Sequence, residues 1–198
     1  MSSSCYPITR HYQRYEYIIN QGYITDKAIL DVGCGIGAGS ILMSYFAKHT
    51  VAIDPFLESK ATVTLPTYTF PGRQSRNLDF HPVGWEMVDG SKTHMDVAVA
   101  MELIEHLKDP DKFLERMALV SEYLFLSTPL ASKTGATVNP EHVTEYSHED
   151  LLAMVEKHFT VLDAKYQTAD LRIVDEASSN GCSIDLGHVV QMLWCKRK

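Results

Sequence analysis

Short apolar runs of strand length alternate along this chain with segments of helical period. AILDV (28–32), TVAID (50–54), MDVAVAM (95–101) and YLFLST (123–128) are apolar at nearly every position, the pattern of parallel strands buried on both faces. LDFHPVG (78–84) is a weaker strand, because Pro82 has no N–H to donate; it is predicted to end early or to lie at a sheet edge. Asp109 before Pro110 reads as an N-cap with proline at the first helical position, and Phe113, Leu114, Met117 and Val120 follow on one apolar face. Ser147 with Asp150 resembles a capping box, with Leu151, Leu152, Val155 and Phe159 at helical spacing behind it. FTVLDAKYQ (159–167) and HVVQMLWCK (188–196) read as two final strands joined by a polar loop over 168–187. Strand–helix alternation of this kind implies a three-layer α/β/α sandwich with right-handed crossovers. Two stretches break the rhythm. Residues 55–76 carry Pro55, Pro66 and Pro71 where a crossover helix is expected, and 130–146 is a long loop of the kind that often carries function.

Length and composition narrow the class. The 198 residues are predicted to form one domain, 1–198, with 1–27 as an N-terminal cap region. A formal net charge of −7 argues against a chain held to nucleic acid by charge alone. Cys5, Cys34, Cys182 and Cys195 have no CxxC spacing and read as free thiols of a reducing compartment. No apolar run reaches a membrane span, the first residues lack the apolar stretch of a secretory signal, and the terminal CKRK is not a prenylation signal. The expectation is a cytoplasmic protein.

The pattern turns to chemistry at AILDVGCGIGAGS (28–40). The strand ends at Val32, and Gly33, Gly35 and Gly37 follow within five residues. A turn without side chains lets a ligand lie against the backbone. Gly33, Gly35 and Ala38 also fit G-x-G-x-x-G/A, a pattern that is weak alone. Asp54 closes the next strand about 20 residues beyond the first glycine, the place of a carboxylate that accepts both hydroxyls of a ribose. Asp31 precedes the turn, where it would repel a pyrophosphate and suit an ammonium group. Together these residues favour S-adenosylmethionine (SAM), which carries ribose, ammonium, carboxylate and sulfonium but no phosphate. The N–H groups of the turn and the start of the following helix would serve its carboxylate.

Several blocks in order resemble the class I SAM-dependent methyltransferases: ILDVGCGIGAGS, VAIDP, MDVAVAMELIEHLKDPDKFLERM, YLFLSTP, EHVTEYSHEDLLAMVEKHF and, before them, HYQRYEYI. The resemblance implies a Rossmann-like, seven-stranded sheet of order 3-2-1-4-5-7-6 with the last strand antiparallel. It implies SAM as methyl donor and S-adenosylhomocysteine (SAH) as product. It places Asp31, Gly33, Cys34, Gly35, Asp54, Pro55, Met101 and Glu102 around the cofactor, with Arg14 and Tyr15 from the N-terminal helix. Many members carry an acid after the third strand for the adenine amine. Here that region reads VGWEMVDG, so Trp85 is the expected adenine neighbour by stacking, with Glu86 and Asp89 as displaced acids.

The run MELIEHL places Glu102, Glu105 and His106 at i, i+3 and i+4, one face if a helical turn starts there. His142, from the loop after the fifth strand, can join them. Two carboxylates and two imidazoles suit Mg²⁺ or Mn²⁺, so Glu102, Glu105, His106 and His142 form a candidate metal set. The E-x-x-E-H arrangement resembles metal-dependent small-RNA 2′-O-methyltransferases and ubiquinone-biosynthesis O-methyltransferases, and it also occurs in relatives with no known metal. Without a metal, His106 and His142 are the candidate bases and Glu105 their acidic neighbour, for an acceptor that must lose a proton. Tyr12, Tyr15 and Tyr146 are candidate walls of the acceptor pocket. The expected reaction is methyl transfer to oxygen or nitrogen of a small molecule, lipid, sugar or natural-product scaffold. A metal-dependent RNA 2′-O-methyltransferase, an NAD(P)-dependent Rossmann enzyme and a non-catalytic SAM-binding module remain as rivals, and homodimerisation stays open.

Overall fold

A computed structural model describes residues 6–57, 77–131, 139–175 and 189–198. In chain order its elements are α1 (Tyr6–Asn20), β1 (Ala28–Val32), α2 (Ala38–Ser44), β2 (His49–Ile53), β3 (Asn77–His81), β4 (Met95–Met101), α3 (Pro110–Val120), β5 (Ser121–Pro129), α4 (His148–Val155), β6 (Phe159–Gln167), β7 (Ile173–Val174) and β8 (Val190–Arg197). The strands form one sheet of order β3-β2-β1-β4-β5-β8-β6-β7. β1 to β5 pair in parallel, and β8 runs antiparallel to both β5 and β6. This is the expected Rossmann-like order with one addition. The two-residue β7 pairs with the end of β6 inside the stretch read from sequence as loop. Its only signal is the pair Ile173–Val174; the hairpin closes through Thr168 N–H to the Arg172 carbonyl, 2.9 Å, with Leu171 at φ 71°. β3 stops before Pro82 and lies at the sheet edge, as a strand that cannot donate beyond that point must. The crossover helix expected after Asp54 and parts of both long loops fall at 58–76, 132–138 and 176–188, outside the described residues, as do Cys5 and Cys182.

Alternating strand residues build two cores on opposite faces. Leu30, Ala98, Ala100, Leu124 and Leu126 meet Phe113, Leu114 and Met117 of α3 and Leu151 and Val155 of α4. Ile29, Val97, Val99 and Phe125 meet Tyr15 and Ile18 of α1 and Leu42 and Met43 of α2. Fully burying side chains of this size contributes roughly 1.5–3 kcal/mol each. The helix starts follow their sequence signals. Asp109 accepts from the Lys112 N–H with Pro110 in the first turn, and Ser147 Oγ accepts from the Asp150 N–H at 3.1 Å. Cys34 and Cys195 are free thiols. No helix among the described residues is long and apolar enough to cross a membrane.

MELIEHL departs from expectation. It forms a single 3-10 turn, Ile104–His106, entered through Glu102 at φ 52°. The left-handed residue breaks the i, i+3, i+4 alignment before it starts. Glu102 accepts from Ser127 Oγ at 3.1 Å, whereas Glu105 accepts from Thr128 Oγ1 at 2.9 Å. Ser127 and Thr128 are consecutive in β5 and point to opposite faces, so the two glutamates part company.

Candidate active site

The carboxyl ends of β1 and β4 and the middle of α1 enclose a cleft of about 280 Å³. Its walls are His11, Tyr12 and Tyr15 from α1, Gly33 to Ile36 from the glycine turn, Ala38 and Gly39 from α2, and Met101 and Glu102 after β4. Gly33, Gly35 and Gly37 all have positive φ. Gly33 and Cys34 donate N–H bonds to the Ile53 carbonyl at 2.9 and 3.1 Å, which ties the turn to the end of β2. At Gly35 a Cβ would meet nothing within 4 Å and would project into open space. Gly39 is different: a Cβ there would stand 2.0 Å from the Tyr15 ring. That glycine lets α1 lie directly on α2.

Two buried acids stand behind the turn. Asp54 accepts the Gly35 N–H at 2.9 Å on Oδ2 and the Phe56 N–H at 2.8 Å on Oδ1, so it shapes the wall itself. Asp31 accepts from Ser40 Oγ at 2.5 Å, and its Oδ1 has no partner. Burial, with a contribution from the Asp54 charge, pushes the Asp31 carboxyl up to about 7, against the Ser40 hydrogen bond. Burial and the nearby Asp31 hold the Tyr15 hydroxyl well above its ordinary range.

A second cluster lies where the turn after β4 meets the 139–146 segment. Ligand atoms of Glu105, His106 and His142 fall within 4.8 Å of one another. His106 Nδ1 donates to the Glu141 carbonyl at 3.1 Å, since that oxygen can only accept, and Nε2 is left as the basic nitrogen. His142 Nδ1 donates to Glu145 Oε1 at 3.1 Å, and its Nε2 accepts from Asn139 Nδ2 at 3.1 Å. The two rings meet edge to face at 5.0 Å. Glu105 is fully buried and its Oε1 has no partner. Burial first, and then the charge of Glu102, pushes its carboxyl up to about 8. The Glu105 carbonyl accepts the N–H groups of Val143 and Thr144 at 2.8 and 3.1 Å, which joins the 139–146 segment to the turn after β4.

Residues 18–166 match the sequence profile of the family described as a methyltransferase domain. The chain belongs to that family. The ubiquinone biosynthesis O-methyltransferase of Coxiella burnetii is 28% identical over 118 residues, 58% of this chain and 49% of that protein. The chain thus spans about half the length of the curated relatives it matches. Magnesium protoporphyrin IX methyltransferase of Synechocystis PCC 6803, solved with bound SAH, superposes with a TM-score of 0.65 at 13% identity, covering 96% of this chain and 84% of that one. The N-methyltransferase NodS of Bradyrhizobium japonicum, also with SAH, gives 0.65 at 13% identity over 98% and 89% of the two chains.

In this methyltransferase-family chain the residues singled out by sequence divide into three groups. Gly33, Cys34, Gly35, Tyr12, Tyr15, Met101 and Glu102 line the cleft, with Asp31 and Asp54 directly behind it. Glu105, His106 and His142 gather in the second cluster, and Glu102 is outside it, for the reason of strand alternation given above. The rest are elsewhere. The Trp85 ring packs edge-on against Phe113 at 5.6 Å and is not among the residues that line the cleft. The apolar surface of α3 claims the ring first. Asp89 is engaged by Ser91 and Lys92 of its own loop. Pro55 is exposed beside Asp54, Arg14 is buried behind the wall, and Tyr146 is buried in the α3/α4 core. Sequence reasoning missed His11, Ile36 and Gly39. His11 was legible as the residue one helical turn before Tyr15.

Proposed function

We propose that the chain binds SAM in the cleft and transfers its methyl group to an oxygen or nitrogen of a small-molecule acceptor. The observation that carries this reading is the glycine-turn wall with a buried, unpartnered carboxylate oxygen on Asp31 behind it. Gly35 lines the cleft with bare backbone at positive φ, the turn offers backbone N–H groups to a carboxylate, and Asp31 and Glu102 supply negative charge to an ammonium group. Asp54 keeps carboxylate lone pairs beyond the two N–H bonds it accepts, which suits a ribose diol. SAM, when bound, supplies a methyl group already activated on sulfonium. The protein's share is alignment of the acceptor and, for an oxygen acceptor, removal of a proton. His106 Nε2 is the base, its tautomer set by the Glu141 carbonyl, and His142 braces it edge to face. The net charge of −7 and the O- and N-methyltransferase relatives support a small molecule over RNA.

A second reading rests on the orphaned Glu105 Oε1. Both histidine Nδ1–H groups are tethered to oxygen acceptors, as those of metal-bound imidazoles are, and Glu105, His106 and His142 would fit a divalent cation once the Asn139 amide gives up His142 Nε2. Such an ion would lower the pKa of an acceptor hydroxyl.

Calorimetry tests the cofactor: SAH binds and NAD does not, and a folded protein that binds no SAH overturns the proposal. Labelled SAM incubated with fractionated cell extract tests the acceptor class. Label appears in the low-mass fraction; label confined to RNA would refute a small-molecule acceptor.

A further inference from the structure

Among the described residues Arg14 is the one cationic side chain buried to 1% exposure. It is absent from the cleft wall, yet it touches three segments. Nη1 donates to Gln167 Oε1 at the end of β6, 2.8 Å; Nη2 donates to His11 Nδ1 at 2.9 Å and stands 3.7 Å from Glu102 Oε1. Nε has no partner. A buried guanidinium whose nearest carboxylate is beyond hydrogen-bond length is poorly compensated, so packing stability alone gives little reason for it.

Glu102 is strained as well. Among the described residues it is the only non-glycine residue of the cleft wall with positive φ. Such a conformation is costly for a residue with a side chain and persists where the surroundings over-determine it. Here the Glu102 N–H donates to the Ser127 carbonyl at 2.9 Å, Ser127 Oγ donates to its carboxylate, and Arg14 faces the same oxygen.

What places Arg14 is one extra residue in β6. Phe159 and Val161 face the α3/α4 core, and strict alternation would send 163, 165 and 167 to that face too. The register against β8 shifts between Val161 and Asp163, so that Asp163 pairs with Trp194 and Ala164 turns to the α3/α4 side instead. Asp163 and Gln167 thereby face α1. Asp163 accepts from the hydroxyls of Tyr17 and Tyr23 at 3.0 and 3.4 Å, and Gln167 accepts from Arg14. The bulge converts β6 into the dock for α1.

We propose that Arg14 is a positioning residue for methyl transfer, acting through Glu102: the β6 bulge clamps Arg14 by way of Gln167, and Arg14 holds the Glu102 carboxylate at the wall of the methyl-donor cleft. This rests on the reading of the cleft as the SAM site. It joins the donor cleft, the N-terminal helix and the β6 edge through one side chain.

A double-mutant cycle on the full chain, read by calorimetry with SAH, tests it. Arg14→Met and Glu102→Gln each weaken SAH binding about tenfold, within the range of coupled pairs, and the double variant is no weaker than either single. Gln167→Leu weakens binding about threefold in the wild-type background and has no effect beside Arg14→Met. Should Arg14→Met not fold, Arg14→Lys takes its place, since lysine keeps the charge and loses the two-pronged grip; its loss of affinity disappears beside Glu102→Gln. Losses that multiply to about a hundredfold mean that Arg14 meets the ligand directly and overturn the proposal. So does a folded Arg14→Met or Arg14→Lys that binds SAH as the wild type does. Wild-type protein that binds no SAH overturns the cofactor reading instead, and is seen before any variant is made.

Discussion

Replacing Asp31 by asparagine is expected to stabilise the protein at neutral pH while weakening cofactor binding. The carboxyl is buried, receives one hydrogen bond from Ser40, has no cation beside it among the described residues, and is raised from an ordinary 3.8 to about 7. A shift of that size corresponds to about 4 kcal/mol. The sign follows from proton counts. Between pH 4 and 7 the unfolded chain has released this proton and the folded chain has kept it, so stability falls as pH rises through that window and levels off above it. Asparagine can still accept from Ser40 Oγ and has no charge to desolvate. The variant-minus-wild-type difference in unfolding free energy should therefore grow by about 2 kcal/mol between pH 5 and 7 and level off by about pH 8. Urea melts of both proteins at pH 5, 6, 7 and 8 measure it, and the subtraction removes the parallel contribution of Glu105. Pairing with the ammonium group of SAM would ionise Asp31, so binding of SAM or SAH to the wild type near pH 6 should release a proton that Asp31→Asn does not. Two pH profiles that run parallel would refute the reasoning. Asp31 would then be ionised in the folded protein and compensated by a group not recognised above.

Asp54→Ala should weaken SAH binding by about 1.5–3 kcal/mol in calorimetry, as the loss of charge-assisted hydrogen bonds requires; an unchanged affinity would free Asp54 of any ribose role. Gly39→Ala should lower stability by about 1–3 kcal/mol in thermal melts, because its Cβ meets the Tyr15 ring, and adding Tyr15→Ala should cost less than the sum of the two single changes. If Glu105, His106 and His142 hold a cation, the protein should bind one Mn²⁺ by electron spin resonance. His142→Ala should abolish that signal and leave SAH affinity intact, and chelation should stop turnover. Activity insensitive to chelator would refute the metal, and His106→Ala should then lower turnover by about 10²–10⁴ as a lost general base.

Sequence alone determined the layers and the donor turn. Strands such as Ile29–Leu30 and Val97–Ala98 are apolar on both faces, which only a sheet covered on both sides can satisfy, and Asp109–Pro110 and Ser147 mark helix starts by bonds formed within four residues. The glycine turn was legible for the same reason, since its demand for positive φ is local. Tertiary structure decided everything that depends on which face a side chain meets. Glu102 and Glu105 are three apart and looked like one site. Glu102 at φ 52° and the alternation of Ser127 and Thr128 send them to opposite sides of the sheet. Trp85 packs on Phe113, 28 positions along the chain, a contact that no local pattern announces. The β6 bulge has no marker in FTVLDAKYQ, because a bulge is a mismatch between two strands and exists only once β8 lies beside β6. From that mismatch follow the docking of α1, the burial of Arg14 and its approach to Glu102, contacts 88 and 153 positions apart that no local pattern can encode.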